Sequence, residues 1–281
     1  MSLKVAIVAA GAMGSGVAKR LTENGVTVLT SLAGRSAASA KRAEAALMRA
    51  VDDAQLMQAD LFLSIVPPGD SRALAARFAP HFAAANRKPV FVDCNAVSPP
   101  TMRGTGEVIA ETGAQFVGAA IIGPPPKPGS ANTKIYVSGP AAAAVMKLND
   151  HGLIVRLLDG PLTAASALKM SYAGITKGFT ALAAGMMLAA AREGSADALK
   201  AELAESQAAM TAWLDRQMPN MYGKAYRWVA ELDEIGAFVG EEFAEHEMLT
   251  AAARFYQRIA DDYDGKQDEV AVLERFLKPK G

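Results

Sequence analysis

A glycine-containing turn near the N-terminus constrains the fold of this chain more than any other feature. The apolar run Val5–Val8 is followed directly by AAGAMG (residues 9–14), and a helical pattern starts within that turn. Against the pattern GxGxxG, Gly11 and Gly14 occupy the second and third glycine positions, and Ala9 replaces the first. The second glycine lets backbone approach a pyrophosphate, and the third lets helix and strand pack closely. The turn therefore predicts a dinucleotide site formed by Gly11, Ala12, Met13 and Gly14.

The segments that follow alternate between short β-branched runs and alanine-rich helical stretches. Strands are predicted over residues 5–8, 26–31, 61–66, 90–92, 115–117, 134–137 and 153–157, with helices over 14–23, 38–50, 71–82 and 99–111. This alternation indicates an α/β fold, a doubly wound Rossmann-like parallel sheet with helices on both faces.

The strand-like runs stop after Pro161, and only helical patterns follow. Helices are predicted over residues 163–192, 195–218, 221–239, 246–262 and 267–277. We therefore expect two domains: a dinucleotide-binding domain over residues 1–162, and an all-helical domain for substrate binding and dimerisation over residues 163–281.

Composition excludes several classes of function. The 29 basic residues balance 29 acidic ones, so the chain lacks the positive charge typical of a nucleic-acid-binding protein. The single cysteine, Cys94, cannot form an internal disulfide, which fits a cytoplasmic protein. The apolar stretch over residues 175–191 is interrupted by Lys177, which favours a buried helix over a membrane span. The three histidines share no ligand spacing, so we expect no metal site.

The loop after the second predicted strand indicates which dinucleotide is bound. A fold that binds NAD carries Asp or Glu about 20 residues beyond the glycines, where it holds the ribose hydroxyls. No acidic residue occurs between Val26 and Ala40, and Arg35 and Ser36 stand in this region instead. A guanidinium and a hydroxyl can bind a 2′-phosphate, so we predict a preference for NADP (NADPH) over NAD. The alternative is that Arg35 is a solvated loop cation.

Four segments, in order along the chain, resemble the β-hydroxyacid dehydrogenase family, which includes 6-phosphogluconate and 3-hydroxyisobutyrate dehydrogenases. They are AAGAMG (residues 9–14), the Val66-Pro67 pair, DCNAVSP (residues 93–99) and GPLTAASALK (residues 160–169). The resemblance implies that Val66, Pro67 and Asn95 lie at the nicotinamide side of the cofactor, and that Lys169 is the catalytic lysine. The C-terminal part resembles a poorly characterised branch of this family.

The segment that binds the substrate carboxylate in this family departs from its usual form DAPVSGG. Ile122 stands at the serine position, Gly123 follows it, and Ala173 stands where an asparagine is expected four residues after the lysine. Tyr172 and Lys177 lie in the same neighbourhood and are the alternative donors. The candidate substrate residues are therefore Ile122, Gly123, Tyr172 and Lys177.

These features predict an oxidoreductase that interconverts a small hydroxyacid, or a related alcohol, with its carbonyl compound. Lys169 would act as general acid and base, which requires burial or nearby cations to lower its pKa from about 10.4. The alternative for Lys169 is a helix lysine that reaches water. Two other functions stay open: an NADPH-dependent reductase like the imine reductases, and an NADP-binding module without catalysis. The resemblance also implies a homodimer formed through the C-terminal helices.

Overall fold

The computed structural model describes residues 3–278 and places an eight-stranded sheet in the N-terminal half of the chain. The strands are β1 (Lys4–Val8), β2 (Thr27–Thr30), β3 (Arg49–Ala50), β4 (Leu61–Ser64), β5 (Val90–Asp93), β6 (Phe116–Ile122), β7 (Lys134–Ser138) and β8 (Val155–Leu157). Their order across the sheet is β3-β2-β1-β4-β5-β6-β7-β8. Neighbouring strands are parallel except β6 and β7, which are antiparallel. The strand order reverses direction between β1 and β4, which is where ligands bind in sheets of this kind.

Helices cover both faces of this sheet. They are α1 (Ala12–Thr22), α2 (Ala37–Ala45), α3 (Ser71–Ala84) and α4 (Pro99–Ala110). Val5 and Ile7 belong to one buried cluster with residues of α1 and α2, whereas Ala6 and Val8 belong to another with α3 and α4. Successive residues of a strand point to opposite faces, so a strand buried on both sides must be continuously apolar. The predicted doubly wound α/β fold is confirmed.

The rest of the described chain is helical. Its helices are α5 (Ala164–Arg192), α6 (Ala196–Ser206), α7 (Ala208–Met221), α8 (Ala225–Val239), α9 (Ala244–Asp264) and α10 (Asp268–Leu277). The chain divides into two compact units, the first ending at Met170 and the second beginning at Ser171, so α5 starts in the first unit. The predicted boundary at residue 162 precedes α5 and stays a prediction.

Two predicted elements differ from the structure, each for a local reason. The helix expected over residues 38–50 ends at Ala45, because Leu47 has a positive φ of 54°, and Arg49–Ala50 then form the edge strand β3. The single helix expected over residues 195–218 is divided into α6 and α7. Gln207 between them has φ −136° and ψ 42°, outside the helical region.

Helix α5 is unusual in its length and in the apolar surface that it exposes. It has 29 residues. One 18-residue window of the helix has a mean hydropathy of 1.3, and 33% of that window is buried. By length and composition alone, it is the one helix among residues 3–278 that could cross a membrane, although core helices pass the same test. Four apolar side chains that are more than half exposed lie on one side of it, here named the α5 stripe: Tyr172, Ile175, Leu182 and Met186.

Candidate cofactor and catalytic site

The turn between β1 and α1 has the geometry that a pyrophosphate requires. A Cβ atom on Gly14 would lie 2.0 Å from the carbonyl oxygen of Ala9, so only glycine lets α1 pack this closely on β1. A Cβ atom on Gly11 would have no heavy atom within 4 Å, so the turn is open on that side. Helix α1 begins at Ala12 with no acidic residue in its first turn, and its first N–H groups are available to an anion. The residues present fit a dinucleotide.

The loop after β2 adds positive charge at the same edge of the sheet. Arg35 is half-buried, and its side chain makes no hydrogen bond or ion pair with the other residues that the structure describes. Ser36 is the N-cap of α2, and its hydroxyl accepts a hydrogen bond from the backbone N–H of Ser39. Because β1 and β2 are parallel neighbours, this loop and the glycine turn follow the carboxyl ends of adjacent strands. That is the position expected for a 2′-phosphate pocket.

Asn95 joins the ends of β4 and β5 through its side-chain amide. Its Nδ2 donates to Asp93 Oδ1 at 2.6 Å and to Ser64 Oγ at 2.8 Å, and its Oδ1 accepts from the backbone N–H of Val66 at 2.7 Å. The residue is only 3% exposed. Both amide protons are therefore used within the protein, so Asn95 holds the Val66-Pro67 turn in place, and only its carbonyl oxygen has capacity left for a ligand.

Asp93 is the buried centre of this polar cluster, and sequence analysis missed it. Besides the Asn95 amide, it accepts hydrogen bonds from Ser71 Oγ at 2.6 Å and from the backbone N–H of Asn95 at 3.0 Å. Burial raises the pKa of Asp93, and the hydrogen bonds from Ser71 and Asn95 oppose that rise. The sequence does contain a signal for this role, because an acidic residue ends the otherwise apolar strand VFVD (residues 90–93). A carboxyl group buried there needs hydrogen-bond donors around it.

Lys169 lies on the first turns of α5, within the first unit. Its Nζ is partly buried and donates to the carbonyl oxygen of Ile121 on β6 at 2.6 Å. One turn earlier, the hydroxyl of Ser166 donates to the carbonyl of Val97, which fixes the start of α5 against the loop after β5. β6 is parallel to β5, so Ile121 lies near the carboxyl edge of the sheet. The structure therefore brings Lys169 to the edge that carries Asn95 and Val66.

Cys94 lies beside this lysine but is chemically shielded. The thiol is buried, and burial together with the neighbouring Asp93 raises its pKa, whereas the charge of Lys169 lowers it less. A thiol of this kind is a poor nucleophile at neutral pH. Cys94 is therefore a packing residue.

The loop between β6 and β7 begins at the predicted substrate residues. Ile122 is half-buried at the end of β6. Gly123 has φ 118°, and a Cβ atom there would lie 2.1 Å from the carbonyl oxygen of Asn132, so the backbone itself requires glycine. Further along, Pro125 packs on α1, where a Cβ atom on Gly16 would lie 2.9 Å from the proline Cβ. The loop between β6 and β7 therefore lies against the helix that follows the glycine turn.

The other two predicted substrate residues belong to the second unit. Tyr172 is 52% exposed. Lys177 Nζ pairs with Glu231 Oε2 at 2.8 Å and lies 5.4 Å from the ring centroid of Trp228. The positive charge of Lys177 thus already has partners on α8, and its predicted contact with substrate stays a prediction. Among residues 3–278, no group of three or more His, Cys, Asp or Glu residues could hold a metal ion.

The fold and this site define an NAD(P)-binding oxidoreductase. Residues 4–149 match the NAD binding domain of 6-phosphogluconate dehydrogenase, and residues 190–259 match a domain of unknown function, DUF1932. The chain belongs to the β-hydroxyacid dehydrogenase family, as its sequence motifs predict. This membership confirms the prediction of an NAD(P)-dependent dehydrogenase or reductase that acts on CH–OH groups.

Three solved structures are similar over most of their length. The conserved protein MTH1747, of unknown function and described as similar to 3-hydroxyacid dehydrogenases, is 28% identical with a TM-score of 0.77, over 92% of this chain and 97% of that one. A Mycobacterium tuberculosis 3-hydroxyisobutyrate dehydrogenase, solved with L-serine, is 17% identical with a TM-score of 0.70, over 98% and 99%. An imine reductase from Myxococcus stipitatus, in complex with NADP+, is 19% identical with a TM-score of 0.55, over 98% and 100%. The last two show the fold alone. A comparison with curated proteins finds no match.

Proposed function

We propose that this protein is an NADP-dependent oxidoreductase that interconverts a small hydroxyacid, or a related alcohol, with its carbonyl compound. The observation that carries the proposal is the position of the Lys169 amine, which is 2.6 Å from the Ile121 carbonyl oxygen at the carboxyl edge of the sheet. The glycine turn follows β1 at the same edge. One unit thus carries a dinucleotide site and a proton-transfer group.

Different residues along this edge would bind different parts of the cofactor. The N–H groups at the start of α1 would hold the pyrophosphate, and Arg35 with Ser36 would hold the 2′-phosphate. Val66, Pro67 and Asn95 would flank the nicotinamide, with Asn95 fixing the backbone of Val66 at 2.7 Å. When bound, the nicotinamide supplies hydride transfer.

Lys169 would move the proton that accompanies this chemistry. In oxidation, the unprotonated amine accepts the proton of the substrate hydroxyl, and in reduction the ammonium returns a proton to the carbonyl oxygen. The Ile121 carbonyl holds Nζ in place for either step. Ile122, next to this acceptor, gives the substrate pocket an apolar wall in place of a hydroxyl.

A substrate screen with Lys169→Ala tests the proposed chemistry. Hydroxyacids, aldehydes and cyclic imines are each assayed with NADP+ or NADPH, with Lys266→Ala as a control because that lysine is exposed. We expect turnover of a hydroxyacid or its carbonyl, a loss of about 100-fold or more in kcat for Lys169→Ala, and no change for the control. Full turnover by Lys169→Ala would refute the lysine assignment.

The same screen separates the alternative functions. An imine-reductase-like enzyme would reduce cyclic imines and leave hydroxyacids unchanged. This alternative is kept because an imine reductase has a similar fold. Tight NADPH binding without any turnover would identify a module without catalysis. Fluorescence titrations with NADPH and NADH test the cofactor preference, and a preference for NADH would remove the role given to Arg35.

We also propose that the chain forms a homodimer through its C-terminal helices. The support is the α5 stripe, four apolar side chains that are 52% to 72% exposed on one side of a helix. Apolar patches of this kind mark interaction surfaces. A balanced charge and a single cysteine support a cytoplasmic protein that acts on small molecules, with neither nucleic acid nor a membrane as a partner.

A further inference from the structure

Arg42 on α2 contacts the glycine turn directly, although the two are 32 residues apart in sequence. Its Nε donates to the carbonyl oxygen of Ala10 at 2.9 Å, and its Nη2 donates to Ser39 Oγ at 3.0 Å. Ala10 is 2% exposed and immediately precedes Gly11, the N-cap of α1. One guanidinium therefore connects the turn of the pyrophosphate site to helix α2.

A short series of hydrogen bonds extends this connection to the loop after β2. Ser36, Ser39 and Arg42 are spaced three residues apart, so they lie along one side of α2. Ser39 Oγ lies 3.3 Å from Ser36 Oγ, and Ser36 caps the helix next to Arg35. The series thus runs from the proposed 2′-phosphate pocket to the carbonyl of Ala10.

We propose that Arg42 is a positioning residue that fixes the pyrophosphate turn relative to the 2′-phosphate loop. This inference rests on the proposed function, because it assigns Arg42 to the cofactor site described there. The turn serves NAD and NADP alike, so Arg42 governs the affinity for both dinucleotides. Arg35, whose side chain has no partner within residues 3–278, governs only the preference for the 2′-phosphate.

The geometry requires arginine and not merely a positive charge. The planar guanidinium donates to two acceptors on different elements at once, whereas a lysine ammonium is a point charge on a flexible stem. Lys41, the neighbouring residue, has the same charge but is exposed, and its side chain makes no hydrogen bond or ion pair with the residues that the structure describes. It therefore provides a matched control for the loss of one cation beside an anionic ligand.

Binding of NADPH and NADH to four variants tests this role. We expect Arg42→Ala to weaken both dinucleotides by about tenfold, the equivalent of one charge-assisted hydrogen bond. Arg42→Lys should weaken both to a similar degree, Arg35→Ala should weaken NADPH alone, and Lys41→Ala should stay within about twofold of wild type. Three results would overturn the proposal: full rescue by Arg42→Lys, a loss confined to NADPH in Arg42→Ala, or no loss.

Hydrogen–deuterium exchange of the protein without cofactor gives a second readout, independent of the proposed function. Arg42→Ala should increase exchange in peptides that cover residues 9–16, and Lys41→Ala should not, because only Arg42 contacts Ala10. Unchanged exchange at the turn, or an increase spread over the whole first unit, would overturn the positioning role. If wild type binds neither dinucleotide, the proposed function fails and the exchange experiment alone decides the role of Arg42.

Discussion

The carboxyl edge of the sheet and the surface of α5 differ in the side chains that they present and in how those side chains are paired. At the sheet edge, buried polar groups are paired with one another: Asn95 and Asp93 are 3% and 0% exposed, and their hydrogen bonds fix the turns around them. Along α5, apolar side chains such as Ile175 remain 72% exposed. A cofactor site requires rigid backbone in advance, whereas a partner surface requires only apolar area that another surface can cover.

Replacement of Gly14 should have the largest effect at the sheet edge. In Gly14→Val, a Cβ atom at its ideal position would lie 2.0 Å from the Ala9 carbonyl oxygen. Helix α1 must therefore move away from β1. We expect a loss of about 3 kcal/mol in the free energy of unfolding, measured by urea denaturation. Gly11→Ala is the matched control, because its Cβ has no heavy atom within 4 Å. Equal loss in both variants would show that close packing is not what requires Gly14.

Replacement of Asp93 should have the next largest effect, and this effect depends on pH. Asp93→Ala leaves the Ser71 hydroxyl and the Asn95 amide without their acceptor, at a cost of about 2 kcal/mol in unfolding free energy. Burial raises the pKa of Asp93 in the folded protein, so the folded state binds the proton more tightly than the unfolded state. Its contribution to stability is therefore full below the ordinary carboxyl pKa, about 4, and is lost as the pH rises through the raised value.

Urea denaturation across a pH series measures this dependence. Relative to Asp93→Asn, the wild type should lose stability as the pH increases from about 4, since asparagine does not titrate. A difference between the two proteins that is constant with pH would contradict the raised pKa.

A charge on the α5 stripe tests whether the exposed apolar surface is a dimer interface. We expect Ile175→Asp to weaken self-association by at least about tenfold in sedimentation velocity, because a carboxylate would be buried without a partner. Leu47→Asp is the control, since Leu47 is an apolar side chain that is 75% exposed but does not belong to α5. A monomeric wild type, or a dimer that survives Ile175→Asp, would remove this role from the stripe.

The ion pair of Lys177 should have the smallest effect. Glu231→Gln removes the carboxylate 2.8 Å from the lysine amine, and we expect a loss of about 1 kcal/mol or less in stability with KM unchanged. Lys177→Met tests the predicted substrate contact directly, and an unchanged KM would remove it. An increase in KM for Lys177→Met alone would instead support the predicted contact between Lys177 and the substrate.

The two regions also differ in how much of them the sequence predicts. The glycine turn was predictable because its two glycines perform separate physical tasks, one of which is the close approach at Gly14. Buried strands such as VAIV (residues 5–8) are continuously apolar, which predicts the sheet. The helical C-terminal region was predictable from periodicity, but the break at Gln207 was not, since no glycine or proline marks a helix end there.

The contacts within the site were much less predictable. The position of Asn95 follows from the end of a strand, but its pairing with Ser64 and Val66 depends on how β4 and β5 lie side by side. The contact between Arg42 and Ala10 was not predictable, because a contact over 32 residues leaves no local pattern. The Lys177–Glu231 pair could not be predicted either, because its two residues lie far apart in sequence, on α5 and α8.

A crystal structure of the complex with NADPH would show whether the nicotinamide and Lys169 share one site. We predict a pyrophosphate on the first N–H groups of α1, a 2′-phosphate at Arg35, and a nicotinamide ring beside Val66 that faces Lys169 Nζ across the space of one small substrate. A dinucleotide bound elsewhere on the protein, or a nicotinamide ring turned away from that amine, would contradict it.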